Sequence, residues 1–341
     1  MRIVAAIFVT FFIRCVYLYP SDLFSFNDIS INNVFNDSCI FGPKYMSIIL
    51  YNSVNLEGED IGAQESCNFD PLKPIVFLVH GFISYANTTS GYNLAKRFVQ
   101  QGYTVFSLDW SEAACRNGIP ILRLMEYPQA VQNTREIGQL MAEYVESLVK
   151  KCNILLDNIT FIGHSLGAHV SAFAAKHIQS LGLGKIPRLI GLDPADPLFG
   201  LNRCINRLCK SDATHVIIFH TSTLGISKPI GHLDLQFNGG LMQPGCGLGD
   251  LNVVCSHSRA FEYPITLSDC AYPGLSMKPS FLDIFMSRPV YPAPNTTDCI
   301  LLTKEIFTIK PSEKLREGNY YVFVDPVFPY CTRKSFSCSL I

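Results

Sequence analysis

The run Thr160-Phe161-Ile162-Gly163-His164-Ser165-Leu166-Gly167-Ala168-His169 constrains this chain more than any other stretch. A short β-branched and aromatic segment meets Gly-His-Ser-Leu-Gly, and an alanine-rich helical pattern follows to about His177. Strand, sharp turn and helix therefore succeed one another, with a serine at the apex. Glycines flank that serine because no larger side chain fits beside so tight a turn. The turn lifts the hydroxyl clear of the sheet edge, over the positive end of the following helix.

The surrounding sequence repeats the same rhythm. Residues 74–80 and 103–108 are nearly continuous apolar runs, as buried parallel strands should be, and residues 92–100 between them can form a helix. Over 130–151, Ile137, Leu140, Met141, Tyr144, Val145 and Leu148 recur at steps of three and four, which predicts a second helix. Further strands are predicted at 159–162, 188–192 and 215–220. Such alternation implies an α/β fold, a mostly parallel central sheet with helices on both faces. In such sheets chemistry gathers at the carboxyl ends of the strands. His80-Gly81-Phe82, Ser165 and Asp193 each sit at one. Beyond about residue 221 the rhythm breaks into Gly-, Pro- and Cys-rich loops, closing on a strand over 320–324. No linker stands out, so one domain is expected.

The first residues bear on the compartment. Arg2 precedes an apolar run from Ile3 to Ile13, too short to span a bilayer and suited to a signal-peptide core, which places a leader at about residues 1–19. Thirteen cysteines without a C-x-x-C pattern read as disulfides in an oxidising compartment, with Cys15 leaving in the leader and twelve remaining to pair. The close pairs Cys204/Cys209 and Cys246/Cys255 would close short loops. Sequons at Asn36, Asn87, Asn158 and Asn295 fit a secreted glycoprotein. A formal net charge of −1 gives no argument for a nucleic-acid partner.

A serine hydroxyl needs a base, and the base needs an orienting acid. On a sheet of this kind the expected order is Ser, then Asp or Glu, then His. Asp193 follows a strand immediately, with Asp196 as the rival acid. Among eight histidines, His80 and His164 adjoin the two turns and serve structure, and His169 rides the helix after the serine. His257, on a loop tethered by Cys255, and His232, in an earlier loop, both remain open as the base.

His80-Gly81-Phe82, Asp109-Trp110, the Gly163–His169 turn, Gly191-Leu192-Asp193-Pro194-Ala195, His220-Thr221, Asn238-Gly239-Gly240, Gln243-Pro244-Gly245-Cys246 and the stretch from Cys255 to Ala260 occur in the order seen in pancreatic-type lipases. The chain most resembles the secreted insect branch of that family, which includes venom phospholipases A1. The likeness covers about residues 74–263. It implies an α/β-hydrolase fold, rich in disulfides, with Ser165 as nucleophile, Asp193 as acid and His257 as base. It further implies an oxyanion hole from the backbone N–H groups of Phe82 and Leu166, and no cofactor.

Two departures from the digestive enzymes refine that expectation. Arg207-Leu208 is followed by Cys209 where that pattern has an acidic residue, leaving Asp212 alone of the calcium ligands, so no metal is expected. The loop between Cys246 and Cys255 holds only residues 247–254, too few for the long amphipathic lid of pancreatic lipases. The preceding stretch, 221–243, is short too. A trimmed rim leaves room for a polar head group and favours phospholipid over triglyceride. The expected architecture is one lipase-type catalytic domain over 20–341, without the C-terminal β-sandwich of pancreatic lipases or a colipase partner. The alternatives are a triacylglycerol lipase and, in a different class, a catalytically silent lipid-binding or storage protein.

Overall fold

The computed structural model describes residues 39–40, 44–116, 125–247, 250–278, 291–293, 296–332 and 338–340. The expected leader at 1–19 and the sequons at Asn36 and Asn295 lie outside the described residues. Asn87 is exposed and Asn158 half-buried.

Six strands form the parallel heart of one sheet: β3 (Ile75–Val79), β4 (Thr104–Asp109), β5 (Ile159–His164), β6 (Arg188–Leu192), β7 (His215–His220) and β8 (Leu233–Phe237). Their spatial order is β4-β3-β5-β6-β7-β8, so the direction of winding reverses at β3. A crevice opens where winding reverses, outside the carboxyl ends of the strands. β3 and β5 are neighbours in register, with Phe77 opposite Phe161 and Val79 opposite Gly163. This brings the turns after both strands to the same crevice.

The sheet extends beyond this heart on each side. β1 (Ser47–Tyr51) lies antiparallel to β4, and β2 (Glu59–Gly62) antiparallel to β1. On the other side β11 (Gly318–Val322) continues parallel to β8, β9 (Tyr272–Ser276) is antiparallel to β11 and β10 (Cys299–Leu302), and β12 (Ser339–Leu340) is parallel to β10. Among the described residues twelve strands make one sheet.

Alternation along each strand sorts the core into two layers. Phe77, Phe106 and Phe161 face α2 (Tyr127–Cys152) and α3 (Leu166–Ser180), where Ile137, Met141, Val145, Ala168 and Ala172 meet them. Val76, Leu78, Val105, Ile162 and Ile190 face α1 (Thr89–Gln100) and α4 (Asp250–Thr266), through Leu94, Phe98, Ala260 and Tyr263. Helices thus cover both faces, in agreement with the α/β-hydrolase expectation. Burying each of the larger aliphatic and phenylalanine side chains among these contributes about 1.5–3 kcal/mol. The apolar stripe predicted over 130–151 belongs to α2, whose Ile137, Met141, Tyr144, Val145 and Leu148 are all buried.

The stretch after residue 221 differs from the predicted run of loops. It contains β8, α4, β9 and β10. His257 and Cys255 lie on α4, not on a loop, and five of the residues predicted as rim loop, 250–254, form the start of that helix. A proline at 264 and β-branched Val253 and Val254 lower intrinsic helicity there, so helix formation depends on packing against α1 and the sheet. All twelve cysteines from Cys39 onward pair, as Cys39–Cys115, Cys67–Cys152, Cys204–Cys209, Cys246–Cys255, Cys270–Cys331 and Cys299–Cys338.

Candidate active site

Ser165 occupies the one-residue turn between β5 and α3, with φ 55° and ψ −121°. A non-glycine residue reaches that region only when its surroundings over-determine it. They do here. Ser165 N–H donates to Leu192 O at 3.0 Å, and Ser165 O accepts from Ala168 and Ala195 at 3.2 and 3.3 Å. A β-carbon on Gly163 would lie 2.3 Å from Gly167 O, and one on Gly167 would lie 2.2 Å from Val79 O. Both flanking glycines are therefore required by close backbone approach. The turn after β3 closes over the same point, since a β-carbon on Gly81 would stand 2.8 Å from Ser165 Cβ. Among the described residues the N–H groups of Phe82 and Leu166 meet no main-chain acceptor. Leu166 opens α3, where unpaired amides and the helix dipole favour negative charge.

Asp193 leaves the end of β6 with φ 47°, fully buried. Its Oδ1 accepts the Thr221 and Ser222 amides at 2.7 and 3.1 Å. Its Oδ2 accepts the Ser222 hydroxyl and, at 2.6 Å, His257 Nδ1–H. The His257 side chain retains 14 % exposure while Asp193 has none, so the acid is sealed and the imidazole can be reached. With Nδ1–H donated to Asp193, Nε2 carries the free lone pair of the neutral ring. His257 also packs on the residue before the serine. Its ring centroid lies 4.4 Å from that of His164, and His164 Nε2–H donates to His257 O at 3.1 Å. Burial first, then the neighbouring His257, hold His164 well below the ordinary histidine range, so it is neutral.

The competing residues fall away on geometry. His232 precedes β8 at the amino end of the sheet, and its Nδ1 accepts the Val216 amide at 3.0 Å. Asp196 is exposed, and its carbonyl accepts the Phe199 and Gly200 amides at 2.9 and 2.8 Å. His80 accepts the Trp110 amide at 3.0 Å and stacks on the indole. His169 accepts the Leu208 amide and donates to Ala195 O, and burial lowers its pKa to about 3. Sequence reasoning missed Ser222. Nothing in Thr221-Ser222-Thr223 marks one hydroxyl as facing a carboxylate; only the parallel pairing of β6 with β7 brings it there.

The Lipase family model matches residues 49–324. The chain belongs to the lipase family. Relatives named phospholipase A1 align along most of it. That of Solenopsis invicta is 41% identical over 99% of each chain, and that of Dinoponera quadriceps is 46% identical over 90% of this chain and 81% of the other. That of Vespula vulgaris is 39% identical over 87% of each.

In this lipase the Cys204–Cys209 bridge closes the short segment just before Asp212. Asp212 does not fit a calcium ion. Its Oδ1 is paired with Lys176 Nζ at 2.5 Å, and its Oδ2 accepts the Cys209 amide at 2.8 Å. The Cys246–Cys255 bridge ties the chain before α4 to the helix itself, two residues before His257. No described helix is long and apolar enough to cross a membrane.

Proposed function

We propose that this lipase is a secreted phospholipase A1, which hydrolyses the sn-1 acyl ester of phospholipids. The observation carrying the reading is the 2.6 Å bond from His257 Nδ1 to buried Asp193, on an imidazole seated against the residue preceding Ser165. Ser165 is the nucleophile, His257 the base and Asp193 the orienting acid. Ser165 Oγ attacks the ester carbonyl as His257 Nε2 takes its proton. Asp193 stabilises the imidazolium, and the amides of Phe82 and Leu166 receive the oxyanion. Collapse breaks the acyl–oxygen bond. The lysophospholipid alkoxide leaves with the proton from Nε2, and acyl-Ser165 remains. Water, deprotonated by Nε2, then attacks the acyl carbon, the bond from that carbon to Ser165 Oγ breaks, and Nε2 returns the proton to Oγ as the fatty acid leaves.

Phospholipid rather than triglyceride is favoured by the relatives' names and by the short Cys246–Cys255 rim. Secretion is supported by the leader-like start and by the six disulfides. The continuous sheet supports a single catalytic domain over 20–341. The substrate is expected to be drawn from a membrane or other lipid interface, without colipase.

The test is incubation of the pure protein with phosphatidylcholine and, separately, triolein, identifying the released acids by position. Release from the first glycerol position of phosphatidylcholine, lost in Ser165→Ala, is expected. Release from triolein alone would replace phospholipase with triacylglycerol lipase. No release from either, with no organophosphate adduct at Ser165, would leave a lipid-binding protein.

A further inference from the structure

We infer that Ser222 is a positioning residue of this site: its hydroxyl fixes the Asp193 carboxylate and shares the oxygen that receives His257. The inference rests on the hydrolase reading above and concerns how the acid is held. Ser222 is 1 % exposed and follows β7 by two residues. Its Oγ–H donates to Asp193 Oδ2, and its Oγ accepts the Leu224 amide at 3.1 Å. That second bond orients the hydroxyl. Because His257 Nδ1, 3.4 Å away, carries the hydrogen it donates to Asp193, it cannot accept, and the Ser222 proton goes to the carboxylate.

Asp193 is thereby held from three sides. Two amides fix Oδ1, while Oδ2 divides its charge between one neutral donor and the imidazole. A carboxylate so saturated cannot rotate to follow the ring, and the ring must meet it in one plane. The hydroxyl also tempers the charge that His257 meets. Without it, all the density on Oδ2 would face Nδ1–H, and the imidazolium would be stabilised more strongly. The resting enzyme would then hold a proton on the base at a higher pH than before.

Other ionisable groups around the imidazole do not duplicate this role. His164, from β5, is neutral and packs at a tilt against the ring. On α4 itself, Arg259 is engaged by Glu262 at 2.9 Å. Asp193 is the charged group bonded to His257, and Ser222 is the side-chain hydroxyl bonded to that charge.

The test compares wild type, Ser222→Ala, Ser222→Gly and Ser222→Thr on a soluble p-nitrophenyl ester. Its readouts are kcat and KM separately, kcat/KM against pH, and thermal unfolding. Removal of the hydroxyl is expected to lower kcat about tenfold at neutral pH, with KM within about twofold. The acid limb of the kcat/KM profile should move up by about half to one pH unit. Ser222→Thr, which keeps the donor, should hold the wild-type limb. Ala and Gly variants remove the same group, so a folding failure in one leaves the measurement to the other. An unmoved limb in a folded hydroxyl-less variant, or a loss confined to KM or melting temperature, overturns the inference while leaving the hydrolase reading intact. A wild type that neither cleaves the ester nor takes an organophosphate at Ser165 overturns both.

Discussion

Gly225→Ala probes the role of Asp193 without replacing an ionisable group. A β-carbon at 225 would lie 2.4 Å from Asp193 Oδ1 and 2.7 Å from Cγ, about 1 Å inside ordinary contact. The glycine is not in the left-handed region, so the added methyl tests contact rather than backbone strain. Its backbone cannot retreat easily. Gly225 bridges Ala195, the Ile226 amide donates to Pro194 O at 2.8 Å, and the Asp196 amide donates to Leu224 O at 2.8 Å. The carboxylate must therefore move, against three protein donors and the 2.6 Å bond to His257.

A displacement of about 1 Å in a catalytic group typically costs about a hundredfold in rate. Overpacking a rigid site costs about 1–3 kcal/mol of stability. For Gly225→Ala we expect kcat to fall about a hundredfold, KM to hold within about threefold, and the melting temperature to drop by about 5 °C. Steady-state hydrolysis of a soluble ester and a thermal melt measure all three. A variant with kcat within twofold of wild type and an unchanged melt would refute the reasoning, because the imidazole would not depend on where Asp193 sits.

Replacing both Cys246 and Cys255 by alanine should cost about 2.5 kcal/mol by loop-closure entropy and lower kcat about tenfold, since the bridge anchors the first turns of the helix bearing His257. Denaturant unfolding and kcat check the two effects separately; if kcat is untouched, the bridge does not seat the helix. His164→Ala removes the donor to His257 O and the ring packed against it, and should lower kcat about tenfold with little change in KM, read on the same ester. Stability should also fall with acid. His164 and His169 are neutral when folded, whereas the unfolded chain binds protons on both below about pH 6.5. Stability is complete above that pH and is lost as pH falls, for His169 until about pH 3, at about 1.4 kcal/mol per pH unit for each ring. Urea unfolding at pH 7, 6 and 5 tests this; a flat profile would mean that the folded rings titrate normally.

The parts of the site legible in the sequence were those built from consecutive residues. Gly163, Ser165 and Gly167 announce a tight turn because the steric demand is local, and the strand before it and the helix after it carry their own periods. Asp193 was legible for the same reason, as the residue directly after an apolar strand. His257 needed the family likeness, because composition gives His232 and His257 equal standing. They separate only when the sheet sends one to its amino end and the other to its carboxyl end. The helix under His257 was not legible, since Val253, Val254 and Pro264 argue against helicity and tertiary packing overrides them.

β9 was missed for a related reason. Tyr272-Pro273-Gly274-Leu275-Ser276 has poor strand propensity, and its partners lie on β10 and β11, more than twenty residues away in sequence. Ser222 follows the same logic more sharply. A serine between two threonines carries no signal of its own, yet it meets Asp193 because β6 and β7 end side by side, with Leu192 opposite Phe219. Local sterics therefore announce Ser165 and Asp193, whereas the groups that hold the Asp193 carboxylate in plane come from pairing between strands. A substitution at Ser222 or Gly225 would pass any motif search unnoticed. The rate is where it would register.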